Sequence, residues 1–208
     1  MSYKVLIVED QLLVRRLLEN YFENDPDYEV AGSIGDASFA MDYCSSKQID
    51  LIMMDVLTEH NESGLDAAEK IKKHYPNIKI MIITSLIDAL VFSRAIEANL
   101  DGLWYKDSAE GEIMMAVKRI MNGEKVWPGS VPVIDIGYAK STDFTTKEIE
   151  VLRYLVRGLS YKEIAQEMCV EPVTVQYHVT NMLQKTGFDN KLKLALAVKD
   201  NKFIVEDI

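Results

Sequence analysis

Five side chains in the first 106 residues are of the types that move a phosphoryl group. Glu9 and Asp10 follow the apolar run at 4–8 (KVLIV), and Asp55 follows another at 51–54 (LIMM). Such runs are typical of strands buried on both faces of a parallel sheet. A carboxylate is costly to desolvate, so a buried strand ends in one only where the sheet edge offers a ligand site. Three acids at one edge repel each other unless a cation sits among them, and a hard, oxygen-seeking Mg²⁺ suits them. Thr84 and Lys106 end two further short strands. The expected chemistry is phosphoryl transfer. The metal and the lysine would neutralise phosphoryl oxygens, the threonine would hydrogen-bond one, and a carboxylate would be the nucleophile.

Positioning these groups takes five strand–helix units. Strands are expected at 5–8, 29–33, 51–54, 79–84 and 102–105, and helices at 11–24, 36–45, 65–74, 89–98 and 110–122. Leu12, Leu13, Leu17, Leu18 and Phe22 are expected on one apolar stripe of the first helix, and Asp36 as N-cap of the second. Asn99 suits the left-handed turn that closes the fourth. Strict alternation predicts an α/β fold, a doubly wound parallel sheet with right-handed crossovers. Residues 123–143 carry Pro128, Gly129, Pro132 and Gly137 without helical period, and are expected to be a linker. From 144 onward the pattern is all-α, with four helices at 145–157, 161–168, 172–186 and 191–200.

The chain of 208 residues, 48% hydrophobic and 27% charged, is that of a globular protein of two domains. No run reaches the length of a membrane span. The N-terminus leads directly into a predicted strand, so no signal peptide is expected. Cys44 and Cys169 are expected as reduced, buried thiols in a cytoplasmic protein. The net charge of −10 is uneven. Residues 1–122 hold 12 Lys and Arg against 21 Asp and Glu, whereas residues 144–208 hold nine of each. The acidic surplus therefore belongs to the front half and does not forbid nucleic-acid binding by the tail. His60, His74 and His178 are scattered, which argues against a zinc site. Lys70, Lys72 and Lys73 are expected on a solvated helix edge, and Trp104 and Trp127 as packing residues.

Residues 1–122 resemble the receiver domain of bacterial two-component response regulators. Glu9-Asp10, Met53-Met54-Asp55, Thr84-Ser85 and Tyr105-Lys106 carry the likeness. The resemblance implies a five-stranded, flavodoxin-like domain in which Asp55 accepts a phosphoryl group from a histidine kinase. It implies Mg²⁺ held by Glu9, Asp10, Asp55 and the Leu57 carbonyl, with Thr84 as switch hydroxyl and Lys106 as phosphoryl partner. The sequence also departs from the family. The loop from Thr58 to Gly64 has no proline and one extra residue, and is expected to be longer and more mobile. The switch aromatic is replaced by Leu103, for which Tyr105 could substitute, and Asp107 stands where a proline is common. Leu57 and Leu86 occupy positions where polar side chains could steer a hydrolytic water, so slow autodephosphorylation is expected.

In the tail, helices 161–168 and 172–186 flank a tight turn at 169–171, with Pro172 in the first helical turn, the signature of a helix-turn-helix. Val175, Val179 and Met182 would face the core, leaving Gln176, Tyr177, Thr180 and Gln184 outward, with Lys185 near the end. Residues 144–152, 158–165 and 174–185 look like the LuxR-type helix-turn-helix, and the two halves together resemble NarL/FixJ-type regulators. The resemblance implies promoter DNA as partner, contacted by Thr174, Gln176, Tyr177, Thr180 and Lys185, and a homodimer on DNA paired through helix 191–200. A contact with RNA polymerase is a further expectation. His178 is expected to brace the helix or touch phosphate. Because 172–188 holds one cation and no acid, electrostatic affinity should be modest. Gln with adenine, and Tyr177 and Thr180 with thymine methyls, predict A·T-dominated half-sites.

These features together predict a transcription factor in which phosphorylation shifts the surface near 89–98 and 102–105, releasing or dimerising the tail, and which is not a turnover enzyme. Two alternatives differ in class. One keeps DNA binding with constitutive dimerisation and dispensable phosphorylation. The other is a Mg²⁺-dependent phosphohydrolase, which leaves the tail unexplained and lacks a second aspartate two residues after Asp55.

Overall fold

The computed structural model describes residues 2–106, 112–129 and 131–204. Asp107, the expected helix start at 110–111 and the last residues of the tail lie outside the described residues. Among the described residues the chain divides into two compact units, one comprising 2–85, 89–106 and 112–129, the other 86–88 and 131–204.

The first unit is a five-stranded parallel sheet in the order β2-β1-β3-β4-β5. The strands are β1 (Tyr3–Val8), β2 (Tyr28–Ile34), β3 (Leu51–Asp55), β4 (Lys79–Thr84) and β5 (Gly102–Tyr105). Helices α1 (Leu12–Glu23), α2 (Ala40–Ser46), α3 (Gly64–His74), α4 (Ala89–Glu97) and α5 (Glu112–Met121) alternate with them. All five residues of β3 are buried because it is the middle strand with helices on both faces. Side chains alternate across it. Val5, Ile7, Leu51, Met53, Met81 and Ile83 pack with Leu18 and Phe22 of α1 and Ile113, Ala116, Val117 and Ile120 of α5. Leu6, Ile52, Met54, Ile80 and Ile82 are buried on the opposite face.

Some expectations need correction. The apolar stripe of α1 is narrower than its sequence suggests. Leu18 and Phe22 are buried, whereas Leu12, Leu13 and Leu17 are exposed, Leu13 by 85%. At 100° per residue, Leu12, Leu13 and Leu17 all point about 100° or more away from the direction midway between Leu18 and Phe22, which faces the sheet. Asp36 does accept a hydrogen bond from the Ser38 amide, but it caps a short 3₁₀ turn (Ala37–Phe39) that precedes α2. Lys72 does not lie on a solvated edge. It is buried, with Nζ donating to Asp101 Oδ2 at 2.5 Å and to the Ile78 carbonyl at 2.9 Å. Asp101 also accepts from Lys79 and the Ile80 amide, so the buried charges satisfy one another. Asn99 has φ 58°, the left-handed turn expected of it.

The expected linker is shorter than 123–143. Val126 pairs with Gly102 and packs in the first core. Residues 135–140 form a two-stranded ribbon, β6 (Asp135–Ile136) and β7 (Ala139–Lys140), whose Ile136 and Ala139 are buried in the second core. Two-residue strands carry no detectable period, and this ribbon hid among turn-forming residues.

The second unit packs α6 (Thr146–Val156), α7 (Tyr161–Glu167), α8 (Pro172–Thr186) and α9 (Lys191–Asp200) around one core. Capping boxes start α6 at Thr145 with Glu148 and α7 at Ser160 with Glu163. Pro172 opens α8 and Gly187, at φ 76°, closes it. Cys169 stands in the turn at φ 53° and is exposed, not buried as expected, because the turn projects from the core.

Candidate functional site

Parallel strands bring their carboxyl ends to one edge of the sheet, and four of the five expected chemical groups meet there by their own side chains. Asp55, 5% exposed, ends β3. Its Oδ1 accepts from the Val56 amide at 2.7 Å, and its Oδ2 accepts from Lys106 Nζ at 2.6 Å. Lys106 follows β5, and its Nζ also lies 2.7 Å from Glu9 Oε2. Glu9, 1% exposed, follows β1; its Oε1 accepts from the Gln11 amide, and its carbonyl accepts from Arg15. Ligand oxygens of Glu9, Asp10 and Asp55 lie within 4.8 Å of one another. Thr84 ends β4 next in register to Tyr105 and is fully buried. Leu57, two residues beyond Asp55, forms a bridge with Ser63.

Three carboxylates face one ammonium, and the charge balance shows in their acidities. Burial and the neighbouring Asp55 charge push Glu9 up to about 7, with Lys106 opposing. Burial likewise raises Asp55 against the pull of Lys106. Burial alone would lower the Lys106 pKa, but Asp55 and Glu9 outweigh it and raise it. Asp10 Oδ1 is buried with no hydrogen-bond partner among the described residues. A compact set of hard oxygen donors with an orphaned carboxylate oxygen fits a divalent cation such as Mg²⁺.

The loop beyond Asp55 is tied down rather than loose. Thr58, buried, accepts from the Ala37 amide and donates to the Glu62 carbonyl. The Glu59 amide donates to the Gly35 carbonyl, and His60 Nδ1 lies 2.9 Å from Asp36 Oδ2. His60 adopts φ 62°, so the extra residue is absorbed in a left-handed turn. The loop then returns so closely that a Cβ on Gly64 would stand 1.8 Å from the Asp55 carbonyl oxygen. Only glycine fits there.

In the second unit, α7, the turn at Cys169 and α8 form the helix-turn-helix. Val175, Val179 and Met182 are buried as expected, while Gln176, Tyr177, Thr180 and Gln184 are exposed. Thr174 is half-buried. Thr180 donates back to the Gln176 carbonyl at 2.8 Å, and the Tyr177 and His178 rings meet edge to face at 5.7 Å. Lys185 is placed differently from the other expected DNA contacts. Its Nζ donates to Glu148 at 2.7 and 2.9 Å and to the Asp143 carbonyl at 2.9 Å. Burial would raise the Glu148 pKa, but Lys185 and the Thr145 hydrogen bonds hold it below the ordinary carboxylate range.

Two family models match the chain. The response regulator receiver domain covers residues 5–118, and the LuxR family of bacterial regulatory proteins covers 142–198. The chain is a NarL/FixJ-type response regulator. Among its relatives are the transcriptional regulatory protein DesR of Bacillus subtilis, 30% identical over 94% of this chain and 96% of that one. Another is the response regulator VraR of Staphylococcus aureus, 33% identical over 94% and 96%. The regulator's fold also matches that of RcsB from Salmonella enterica serovar Typhimurium bound to promoter P1flhDC with phosphomimetic BeF₃⁻. The TM-score is 0.65 at 19% identity, covering 95% of this chain and 98% of that one. The two family models and the sequence relatives make it a DNA-binding transcriptional regulator of the two-component class. Among the described residues no helix is long and apolar enough to cross a membrane.

Sequence reasoning missed three groups in the regulator. Gly64 was visible as the end of the loop, but the reason for it, a chain that doubles back on the Asp55 carbonyl, was not. The ion pair of buried Glu148 with half-buried Lys185 joins residues 37 positions apart. Val173, on the exposed face of α8, was hidden because an apolar residue beside a core stripe looks like core.

Proposed function

We propose that the regulator is switched by phosphorylation of Asp55 by a cognate histidine kinase, and binds promoter DNA as a homodimer through α8. The observation that carries this is the meeting of Asp55, Lys106, Glu9 and Asp10 at one sheet edge, with Lys106 Nζ 2.6 Å from Asp55 Oδ2. An Asp55 oxygen attacks the phosphorus of the kinase's phosphohistidine. The P–O bond forms as the P–N bond breaks, and the electron pair of that bond stays on the imidazole. Mg²⁺ held by Glu9, Asp10, Asp55 and the Leu57 carbonyl would offset the negative charge of the phosphoryl oxygens. Lys106 pairs with one of those oxygens and the Thr84 hydroxyl donates to another. Closure of these two groups shifts the α4–β5 surface and favours the dimer. The modified carboxylate is one stoichiometric switch, so the protein turns over no substrate. Kinase, DNA and, at the promoter, RNA polymerase all meet it in the cytoplasm.

On DNA, Gln176, Tyr177 and Thr180 face the bases, Thr174 supports them, and Lys185 holds the helix in place. Exposed Leu192 and Leu196, one helical turn apart on α9, supply an apolar face for pairing between protomers.

Treatment with acetyl phosphate and Mg²⁺ tests the proposal. Mass spectrometry should find one acid-stable, base-labile adduct on Asp55, with dimerisation and tighter DNA binding that Asp55→Ala abolishes. No adduct would sink the switch. DNA binding by Asp55→Ala equal to wild type would favour the constitutive alternative.

A further inference from the structure

Val173 stands second in α8, directly after Pro172, and 69% of it is exposed. Tyr177, 63% exposed, and Thr180 follow it at i+4 and i+7, so at 100° per residue the three share one stripe. Val175, Val179 and Met182 hold the opposite side in the core. Single exposed apolar residues are ordinary on a protein surface and need no explanation. This one differs in its place. It lies at the N-terminal end of the second helix of a helix-turn-helix, the end whose side chains reach base edges. Apart from the N-cap Glu171, α8 carries little charge: residues 172–188 contain no acid, and their one Lys or Arg, Lys185, is held by Glu148. A face of this kind recognises by shape, apolar contact and hydrogen bonding.

We propose that Val173 is a specificity-determining residue, whose two methyl groups pack against the 5-methyl group of a thymine in the major groove. That methyl is the one apolar mark on a base edge there. The inference rests on α8 being the reading helix, and extends it by one base position toward the helix N-terminus. Val173 would read a methyl beside the pair read by Gln176, and Tyr177 and Thr180 continue the stripe.

The test uses the full chain treated with acetyl phosphate and Mg²⁺, and a duplex obtained by selecting random DNA against it. Each thymine of one half-site is replaced singly by uracil, which removes only the methyl. Wild type should lose about three- to fivefold in affinity at one such position, the value of one buried methyl-sized group. Val173→Ser should bind more weakly and be indifferent to uracil at that position, while still sensing uracil at a position read by Tyr177. Val173→Ile should restore the discrimination. A thermal melt equal to wild type would confirm that Val173→Ser folds, as its exposure predicts. If Val173→Ser discriminates thymine from uracil everywhere as wild type does, or if wild type senses no uracil, Val173 reads nothing. Gln176→Ala and Tyr177→Ala separate the two levels: if both bind every sequence as wild type does, the assignment of α8 itself fails.

Discussion

Glu9 illustrates how one buried side chain ties acidity to metal binding. Its pKa is raised from 4.5 to about 7 by burial and by Asp55. In the metal-free protein the folded state thus holds a proton between those values that the unfolded state has lost. This contribution to stability is complete at the acid end and disappears as pH rises through about 7. Mg²⁺ requires the ionised carboxylate, so its affinity should rise about tenfold between pH 6 and pH 8. Calorimetric titration at the two pH values would show this, and equal affinities would exclude Glu9 as the competing group. Leu57 and Leu86 bear on the lifetime of the phosphorylated state. Neither can orient a water, so Leu57→Asn or Leu86→Asn should speed decay of the phosphorylated form, followed by loss of the base-labile adduct. The ion pair of Lys185 with Glu148 predicts a larger effect on stability than on DNA binding. Lys185→Met leaves the buried Glu148 carboxylate without its charge partner, and should destabilise the second unit by about 1–3 kcal/mol in urea. The slope of DNA affinity against salt should change little, since a paired lysine releases few counterions.

At the scale of elements, two short pieces do more than their length suggests. The β6–β7 ribbon contributes Ile136 to the helical core, where it is fully buried. Ile136→Ala should therefore cost about 2–5 kcal/mol in the chemical denaturation of the second unit. A mere linker residue would cost next to nothing, and that result would remove the ribbon from the domain. The other piece is the loop from Val56 to Ser63. Its hydrogen bonds to Gly35 and Ala37 fix the backbone that leaves Asp55 and returns to Gly64. Gly64→Ala would force backbone apart beside the acceptor. It should sharply reduce labelling of Asp55 by acetyl phosphate, measured by mass spectrometry, without removing any charged group.

Across the whole molecule, charge and recognition are separated by domain. The −10 net charge resides almost entirely in the receiver half, where Glu9, Asp10 and Asp55 come together at one sheet edge. The tail is neutral, and α8 offers contact chemistry rather than a basic patch. DNA affinity from a single tail should be low, and pairing two tails multiplies it. If the proposed homodimer forms, a change of oligomeric state would be an effective switch, because doubling the contacts matters most when each set is weak.

The order of the five strand–helix units and the four tail helices, the acids and lysine of the pocket, and the polar face of α8 were all legible in the primary structure. These follow from period: two in a strand, 3.6 in a helix, with chemical residues placed where an apolar run stops. Tertiary structure decided what period cannot encode. It left Leu13 in solvent, buried Lys72 against Asp101, tied Lys185 to Glu148 and recruited the ribbon to the helical core. Each of these depends on which surfaces meet after the chain has folded back on itself. Burial is a property of such meetings, and neighbouring residues in the chain carry almost no information about them.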